Sequence, residues 1–223
     1  MARSADSFPR HLIQVAGISD SEEAELISDA GAHWLGFPLR LPVNKEDISE
    51  VDAATLFQYY GSRAVLITYL DSAESIVKFC RSLSASRVQL HGNIVSEQLQ
   101  LLRSKEPDLF IMKSLVVRQN NHAELLQLID QTSEYVDAYI TDTHDAESGA
   151  DGATGKTHDW QISRALVRYS DKPVILAGGL RPSNVAAAIQ AVRPAGVDVH
   201  TGVERADGRK SASLLEEFVT RAR

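Results

Sequence analysis

The chain alternates short apolar segments with longer amphipathic ones eight times, and this alternation restricts its possible folds more than any other feature. Runs rich in Val, Ile and Leu predict buried strands, whereas apolar residues repeating every three or four positions predict helices. The predicted strands are His11–Ala16, Trp34–Phe37, Ala64–Tyr69, Arg87–Leu90, Leu109–Lys113, Ala138–Asp142, Pro173–Ala177 and Val197–His200. The predicted helices are Ser21–Ala30, Ser72–Leu83, Val95–Arg103, Ala123–Thr132, Gln161–Tyr169, Ser183–Val192 and Ser211–Ala222, with a less regular segment at Glu46–Tyr60.

A repeat of strand and helix predicts a parallel sheet, because each helical crossover returns the chain to the same end of the sheet. Eight such units without a long linker favour one α/β domain over residues 1–223, a closed (β/α)8 TIM barrel, with residues 1–10 as an N-terminal tail. The length of 223 residues lies within the range of one such barrel. An open, doubly wound sheet is the alternative, since the number of strands alone does not establish closure.

The amino-acid composition limits the kinds of molecule that the chain is expected to bind. The formal net charge is −7 and the pI is near 5.5, which argues against nucleic acid, because affinity for it depends on clustered Lys and Arg. Cys80 is the single cysteine, so no internal disulfide is possible, and no apolar run predicts a membrane span. We therefore expect a cytoplasmic monomer or homodimer whose partner is a small molecule, not a nucleic acid or a membrane.

Two glycine turns predict an anion site. Gly178 and Gly179 follow the seventh predicted strand and precede a helix start, so main-chain N–H groups and the positive helix end could approach an anion. Thr201 and Gly202 form a second turn after the eighth strand. In (β/α)8 barrels the loops after strands seven and eight frequently build one phosphate site together. We expect a small phosphorylated substrate there; the alternative is two tight turns without a ligand.

Several stretches carry a resemblance to a known family. They are QLHG at 89–92, ITDT at 140–143, GATGKTHDW at 152–160, PVILAGGLRPSNV at 173–185 and VRPAGVDVHTGVE at 192–204, with VAGISDSEEAELISDAGAHWLGF at 15–37. In this order they resemble phosphoribosylanthranilate isomerase over nearly the whole chain. The resemblance implies an Amadori rearrangement in tryptophan biosynthesis, in which phosphoribosylanthranilate opens its furanose ring and becomes a 1-deoxyribulose phosphate. It implies neither a metal nor an organic cofactor.

Such a rearrangement needs an acid that protonates the ring oxygen and a base that removes the C2′ proton. Asp142, which ends the sixth predicted strand, matches the family's general acid. A free Asp titrates near about 3.9, so a dry or anionic surrounding would have to keep this carboxyl partly protonated. The alternative is that Asp142 caps the following loop, Thr143 to Thr157, which is either a mobile lid or a surface tip.

The first strand departs from the family. The resemblance implies a cysteine base within a Lys-aliphatic-Cys-Gly pattern, whereas this chain reads Gln14, Val15, Ala16 and Gly17. Ala16 cannot accept a proton, and the loss of a well-placed base typically lowers a rate by about 100-fold to 10,000-fold. Cys80 cannot take over this role, because it lies within a predicted helix among apolar neighbours and is expected to face the core.

Other residues are candidates for the missing role. His91, His144 and His200 follow the fourth, sixth and eighth strands, and imidazole suits proton transfer near neutral pH. His91 could also contact the substrate, and His200 could contact a phosphate. Lys113 closes the predicted fifth strand, where it could form a Schiff base, hold an anion or make a structural ion pair.

The loop after the second strand also departs from the family, whose Ser-Pro-Arg-Tyr segment has an arginine that meets the anthranilate carboxylate. Here the sequence is PLRLPVNKED, and Arg40 is the nearest cation. A guanidinium could bind a carboxylate through two parallel hydrogen bonds. Arg40 is therefore a candidate for substrate binding, although a surface arginine without this role is an equal alternative.

Three hypotheses follow from these residues. The first is the isomerase itself, with Asp142 as acid and another residue as base. The second is a diverged paralogue that acts on another phosphorylated sugar through Asp142, Lys113 or a histidine. The third is a non-catalytic relative that binds a phosphorylated metabolite.

Overall fold

The computed structural model describes residues 8–42, 46–143 and 159–223. Eight parallel strands close into one barrel, in which each strand pairs with its neighbours in sequence and the eighth pairs with the first. The prediction of a single closed (β/α)8 barrel is confirmed, and the doubly wound sheet is excluded. Of the predicted tail, residues 1–7 lie outside the described residues.

Strands and helices alternate along the whole barrel, as predicted. The strands are β1 Leu12–Ala16, β2 Trp34–Pro38, β3 Ala64–Thr68, β4 Arg87–Leu90, β5 Phe110–Val117, β6 Ala138–Thr143, β7 Val174–Leu176 and β8 Gly196–Val199. The helices are α1 Ser21–Asp29, α2 Glu50–Tyr60, α3 Ala73–Leu83, α4 Ser96–Lys105, α5 His122–Thr132, α6 Trp160–Tyr169, α7 Val185–Val192 and α8 Ala212–Ala222. Short 3-10 helices occupy Gly61–Arg63 and Thr201–Val203.

Local side-chain chemistry sets several of these bounds. The side chains of Asp20, Ser49 and Asp159 accept backbone N–H groups in the first turns of α1, α2 and α6, which satisfies donors that a helix start leaves unpaired. Helix α7 begins two residues later than predicted. The reason is that Asn184 closes a turn before it, accepting from the N–H of Arg181 and donating to the carbonyl of Gly179.

The side chains of each strand alternate between two cores. One core lies between the barrel and the helices and contains Val15, Val197 and Val199; the other lies inside the barrel and contains Ala16 and Ile140. The N-terminal end of the barrel is closed by aromatic contacts. Phe8 packs edge-on against Trp34 at a centroid distance of 5.6 Å, and Trp34 packs against Phe110 at 5.3 Å.

Towards the C-terminal ends of the strands, the inward positions become polar. Strand alternation places Gln14, Gln89, Ser114, Asp142 and Asp198 on the same inner face as the apolar interior core. Parallel barrels concentrate their binding residues at this end. The chain therefore has an apolar, closed N-terminal end and a polar C-terminal end.

No helix among residues 8–42, 46–143 and 159–223 has the length and apolar character needed to cross a membrane.

Candidate active site

Asp142 is held in the mouth of the barrel by two hydrogen bonds. Its Oδ2 lies 3.1 Å from Nε2 of His91, and its Oδ1 accepts the N–H of Thr143 at 2.7 Å. Both side chains are largely buried. The imidazole of His91 stacks on Tyr69 with 5.0 Å between the ring centroids and 9° between the planes. Strands β4 and β6 thus bring together two residues that the sequence singled out separately, and His91 fixes the orientation of the carboxyl group.

A second carboxyl, Asp198 on β8, lies in the same mouth and was not identified from the sequence. Its Cα is paired with that of Gln14 on β1. The pKa of Asp198 is raised to about 7, mainly by burial and also by the negative charge of Asp142, while Gln14 and the positive charge of Lys210 act to lower it. The sequence pattern Val-Asp-Val could have identified Asp198, because a charged residue between two residues that face the helices must point into the barrel.

The end of β1 is filled by two small residues and by the imidazole of His200, which follows β8. Ala16 is buried in the interior core, 4% exposed. The next residue, Gly17, has a φ of +76°, and the imidazole of His200 fills the space that a side chain at residue 17 would occupy. Burial lowers the pKa of His200 to about 3, helped by the positive charge of Lys210. His200 is therefore neutral near pH 7 and could contact a phosphate only as an N–H donor.

An ion pair supports the turn after β8. The ammonium of Lys210 lies 2.6 Å from Oε1 of Glu204 and donates to the carbonyl of His200 at 3.3 Å. Lys210 is only 3% exposed, which is rare for a lysine unless it is paired. Sequence reasoning missed this pair, because a lysine in a segment before a helix is usually solvated.

The two glycine turns lie side by side. A Cβ atom on Gly202 would lie 1.8 Å from the carbonyl oxygen of Leu180, in the turn after β7. Gly178 and Gly179 have φ values of +96° and +62°, which glycine adopts readily. No hydrogen bond between described residues uses the N–H of either as a donor. Thr201 and Gly202 open a 3-10 helix, whose first N–H groups have no partner within the helix.

Lys113 lies in the middle of β5 and does not close it, which corrects the predicted strand end. The strand continues to Val117, because Ser114 to Val117 pair with β6 as far as Thr143. The Lys113 ammonium donates to the carbonyls of Leu90, Gly92 and Ser114 at 3.5, 3.0 and 3.2 Å. Its catalytic role stays a prediction.

Arg40 is already paired on the helical side of the barrel. Its guanidinium makes two hydrogen bonds to Glu50 of α2, at 2.7 and 3.0 Å, and lies 3.7 Å from the centroid of the Phe79 ring. The arrangement is two-pronged, as expected of a guanidinium facing a carboxylate, but the carboxylate belongs to the protein. Substrate binding by Arg40 stays a prediction.

Two further predictions concern Cys80 and the loop after β6. Cys80 is buried in α3, and burial raises the pKa of its thiol to about 12, so the prediction that it faces the core is confirmed. His144 and most of the loop from Thr143 to Thr157 lie outside the described residues. Within the described residues, no group of three or more His, Cys, Asp or Glu side chains could hold a metal ion.

A closed parallel barrel with acidic and imidazole groups at its C-terminal mouth, beside two adjacent glycine turns, defines the class of (β/α)8-barrel proteins with a small-ligand site at the strand ends. A model of the family described as N-(5'phosphoribosyl)anthranilate (PRA) isomerase matches residues 13–221. The chain belongs to the N-(5′-phosphoribosyl)anthranilate isomerase family.

Relatives with this name cover almost the whole chain. N-(5′-phosphoribosyl)anthranilate isomerase 2 of Methanosarcina mazei is 34% identical over 216 residues, which are 95% of this chain and 93% of the relative. The N-(5′-phosphoribosyl)anthranilate isomerase of Haloferax volcanii is 35% identical over 214 residues, which are 95% of this chain and 92% of the relative. The similarity is therefore not confined to one part of the barrel.

Solved structures agree with this. The N-(5′-phosphoribosyl)anthranilate isomerase of Pyrococcus furiosus superposes with a TM-score of 0.78 at 28% identity, covering 95% of this chain and 98% of that one. A phosphoribosyl anthranilate isomerase in complex with reduced 1-(o-carboxyphenylamino)-1-deoxyribulose 5-phosphate superposes with a TM-score of 0.77 at 25% identity, with the same coverage. The barrel is thus shared with proteins of the same family.

Proposed function

We propose that this chain is an aldose–ketose isomerase, an intramolecular oxidoreductase, that catalyses the Amadori rearrangement of N-(5′-phosphoribosyl)anthranilate in tryptophan biosynthesis. One observation carries the proposal beyond family membership: Asp142 is oriented by His91 in the same barrel mouth that contains the two adjacent glycine turns. A phosphosugar needs an acid at its ring and an anion site at its other end, and the mouth offers both.

The glycine turns supply the phosphate site in this proposal. The phosphate dianion would be bound by the main-chain N–H groups of Gly178, Gly179, Thr201 and Gly202. Such a site needs no positively charged side chain. Support comes from the family member whose structure holds a deoxyribulose 5-phosphate. The neutral imidazole of His200 would lie beside this site as a donor.

Asp142 supplies the acid. When it protonates the furanose oxygen, the bond from that oxygen to C1′ breaks, the oxygen keeps the electron pair, and the amine nitrogen forms a C1′ iminium. The hydrogen bond to His91 Nε2 keeps the carboxyl pointed into the mouth. Lys113 and Arg40 have no assigned step, because their cationic groups are held by carbonyls and by Glu50.

A diverged paralogue is the second candidate function, and Ala16 favours it. Without a cysteine base at this position, the barrel could retain its phosphate end while accepting another phosphorylated sugar. No nucleic acid or membrane partner, a cytoplasmic location and a monomeric or homodimeric state stay predictions. A family member from Thermotoga maritima is described as dimeric.

The loss of anthranilate fluorescence on freshly prepared N-(5′-phosphoribosyl)anthranilate tests the proposal. We expect enzyme-dependent decay, and we expect Asp142→Asn to lower kcat by about 100-fold to 10,000-fold. Asp108→Asn, the same change at an exposed position before β5, is the matched control and should retain activity. Phosphate binding without any decay would contradict isomerase activity and support the paralogue or the non-catalytic relative.

A further inference from the structure

Strand β8 places the Asp198 carboxyl inside the barrel, next to the strand that lacks its base. Val197 and Val199 pack in the outer core, so alternation directs Asp198 inward. Its pairing partner on β1 is Gln14, two residues before Ala16 on the same inner face. The carboxyl therefore approaches the mouth from the side where the family's base would be.

One oxygen of this carboxyl has no protein partner. Oδ1 of Asp198 is buried and accepts no hydrogen bond from the described residues, and the same holds for Oγ of Ser114 on β5. Buried polar atoms are nearly always paired, so unpaired ones that face a binding site indicate groups kept for a ligand. Gln14 acts to lower the pKa of this carboxyl, and the Gln14 amide donates to Gln89 at 2.9 Å.

The charges around Asp198 suit proton transfer near neutral pH. Asp142 on β6 is the nearby negative group, and Lys210, which is paired with Glu204, is the nearby positive group. His200, which follows the last residue of β8, is neutral, because burial lowers its pKa to about 3. Burial and Asp142 together raise the pKa of Asp198 to about 7, and a base works best when its pKa lies near the working pH.

His200 is the rival for this role and is the weaker one. An imidazole with a pKa of about 3 is neutral but has little affinity for a proton. Its ring is also packed against Gly17, with Nε2 3.4 Å from Oε1 of Glu204. His200 therefore fits a role in shaping the mouth and orienting the turn after β8.

We propose that Asp198 is the general base of this chain, acting from β8 in place of a base on β1. This rests on the proposed isomerase function. After Asp142 opens the ring, Asp198 takes the C2′ proton of the iminium, and the C2′–H electron pair becomes the C1′–C2′ double bond while nitrogen recovers its lone pair. The resulting enol loses its hydroxyl proton, and C1′ gains one, so the product ketone is an isomer of the substrate and no co-reactant is consumed.

Gln14 also helps Asp198 to act as a base. The family pattern has a lysine there, and a lysine paired with Asp198 across β1 and β8 would lower the pKa of this carboxyl through its positive charge. Gln14 can donate a hydrogen bond without adding that charge. The two departures in the first strand, at residues 14 and 16, are thus linked: one removes the thiol and the other leaves Asp198 able to act as a base.

The first test is Asp198→Asn, assayed by anthranilate fluorescence with Asp108→Asn as control. We expect kcat to fall by about 100-fold to 10,000-fold, with little change in KM or in affinity for reduced 1-(o-carboxyphenylamino)-1-deoxyribulose 5-phosphate. Adding Ala16→Cys to Asp198→Asn should raise kcat at least about tenfold above that of Asp198→Asn. Iodoacetamide should abolish this gain by alkylating the introduced thiol, whereas Cys80 is buried and should not react. If Asp198 were merely structural, the double variant would stay as far below Ala16→Cys alone as Asp198→Asn stays below the wild type.

The second test uses Gln14→Lys and does not depend on the stability of the asparagine variant. In the wild type, kcat should fall below about pH 7, where Asp198 becomes protonated. Gln14→Lys should move this acidic limb down by about one pH unit or more. An unchanged limb would overturn the assignment, as would an Asp198→Asn enzyme with wild-type kcat. If the wild type itself shows no decay, the isomerase proposal fails instead.

Discussion

The imidazole of His200 occupies the space beside Gly17 so completely that a Cβ atom on Gly17 would lie 1.9 Å from its Nε2. The contact joins the end of β1 to the end of β8. Because Gly17 also has a φ of +76°, this position tolerates no other residue without strain. The residue that shapes the end of the first strand therefore comes from the turn after the last strand.

Gly17→Ala should destabilise the protein through two separable effects. The positive φ costs an alanine about 1 to 2 kcal/mol, and the collision with His200 adds about 1 to 3 kcal/mol of overpacking. Gly208→Ala is the matched control, since Gly208 has a φ of +82° but nothing within 4 Å of an added Cβ. Urea denaturation should show a larger loss of unfolding free energy for Gly17→Ala than for Gly208→Ala. In a His200→Ala background, the loss caused by Gly17→Ala should fall to that of Gly208→Ala. Equal losses for the two glycine variants would contradict the contact.

Gly202→Ala should weaken phosphate binding as well as stability. The new methyl group would meet the carbonyl oxygen of Leu180, which is backbone and cannot rotate away, so the two glycine turns must separate. A ligand that binds the native state raises its stability; inorganic phosphate should therefore raise the Tm of the wild type and have little effect on the variant. Chloride at matched ionic strength is the control. Equal phosphate protection of both proteins would place the anion elsewhere.

Stability should depend on pH in two opposing ways at the mouth. The pKa of His200 is lowered to about 3 from an ordinary 6.5, so its contribution is complete above pH 6.5 and is lost as the pH falls towards 3. The pKa of Asp198 is raised to about 7 from 3.8, so its contribution is complete below pH 3.8 and is lost as the pH rises towards 7. Each proton contributes a slope of up to about 1.4 kcal/mol per pH unit.

Variants at Asp198 and His200 separate the two contributions to the pH dependence of stability. Relative to Asp198→Asn, the wild type should lose stability between pH 4 and 7 as the pH rises. Relative to His200→Gln, it should lose stability between pH 6.5 and 3 as the pH falls. Free energies of unfolding from urea titrations at each pH measure both differences. A difference that stays flat with pH for either variant would show that folding does not shift the pKa of that side chain.

Much of the fold and part of the site could be predicted from local patterns. The eight strands and the order of the crossovers follow from apolar periodicity, since burial of one face dictates the spacing of apolar residues. Asp142 and the glycine turns could be placed at the strand ends by the same reasoning. Cys80 could be assigned to the core because its helical neighbours are apolar.

Contacts across the barrel could not be predicted, because they join residues far apart in sequence. The hydrogen bond between His91 and Asp142 spans 51 positions, and the pairing of Gln14 with Asp198 depends on the register between the first and last strands. The prediction that β5 ends at Lys113 was wrong for the same reason. Pairing with β6 lengthens β5 to Val117, which is an effect of the neighbouring strand and not of the segment itself.

The amino-acid sequence by itself determined the repeating strand and helix, the glycine turns after the last two strands, and the loss of the cysteine and lysine from the first strand. Only the tertiary structure decided which groups meet where the strands end, and it brought Asp198 beside Asp142 and His200 against Gly17. The reason is physical: periodicity reports burial of each segment alone, whereas pKa values and contacts depend on the distances that barrel closure sets between segments.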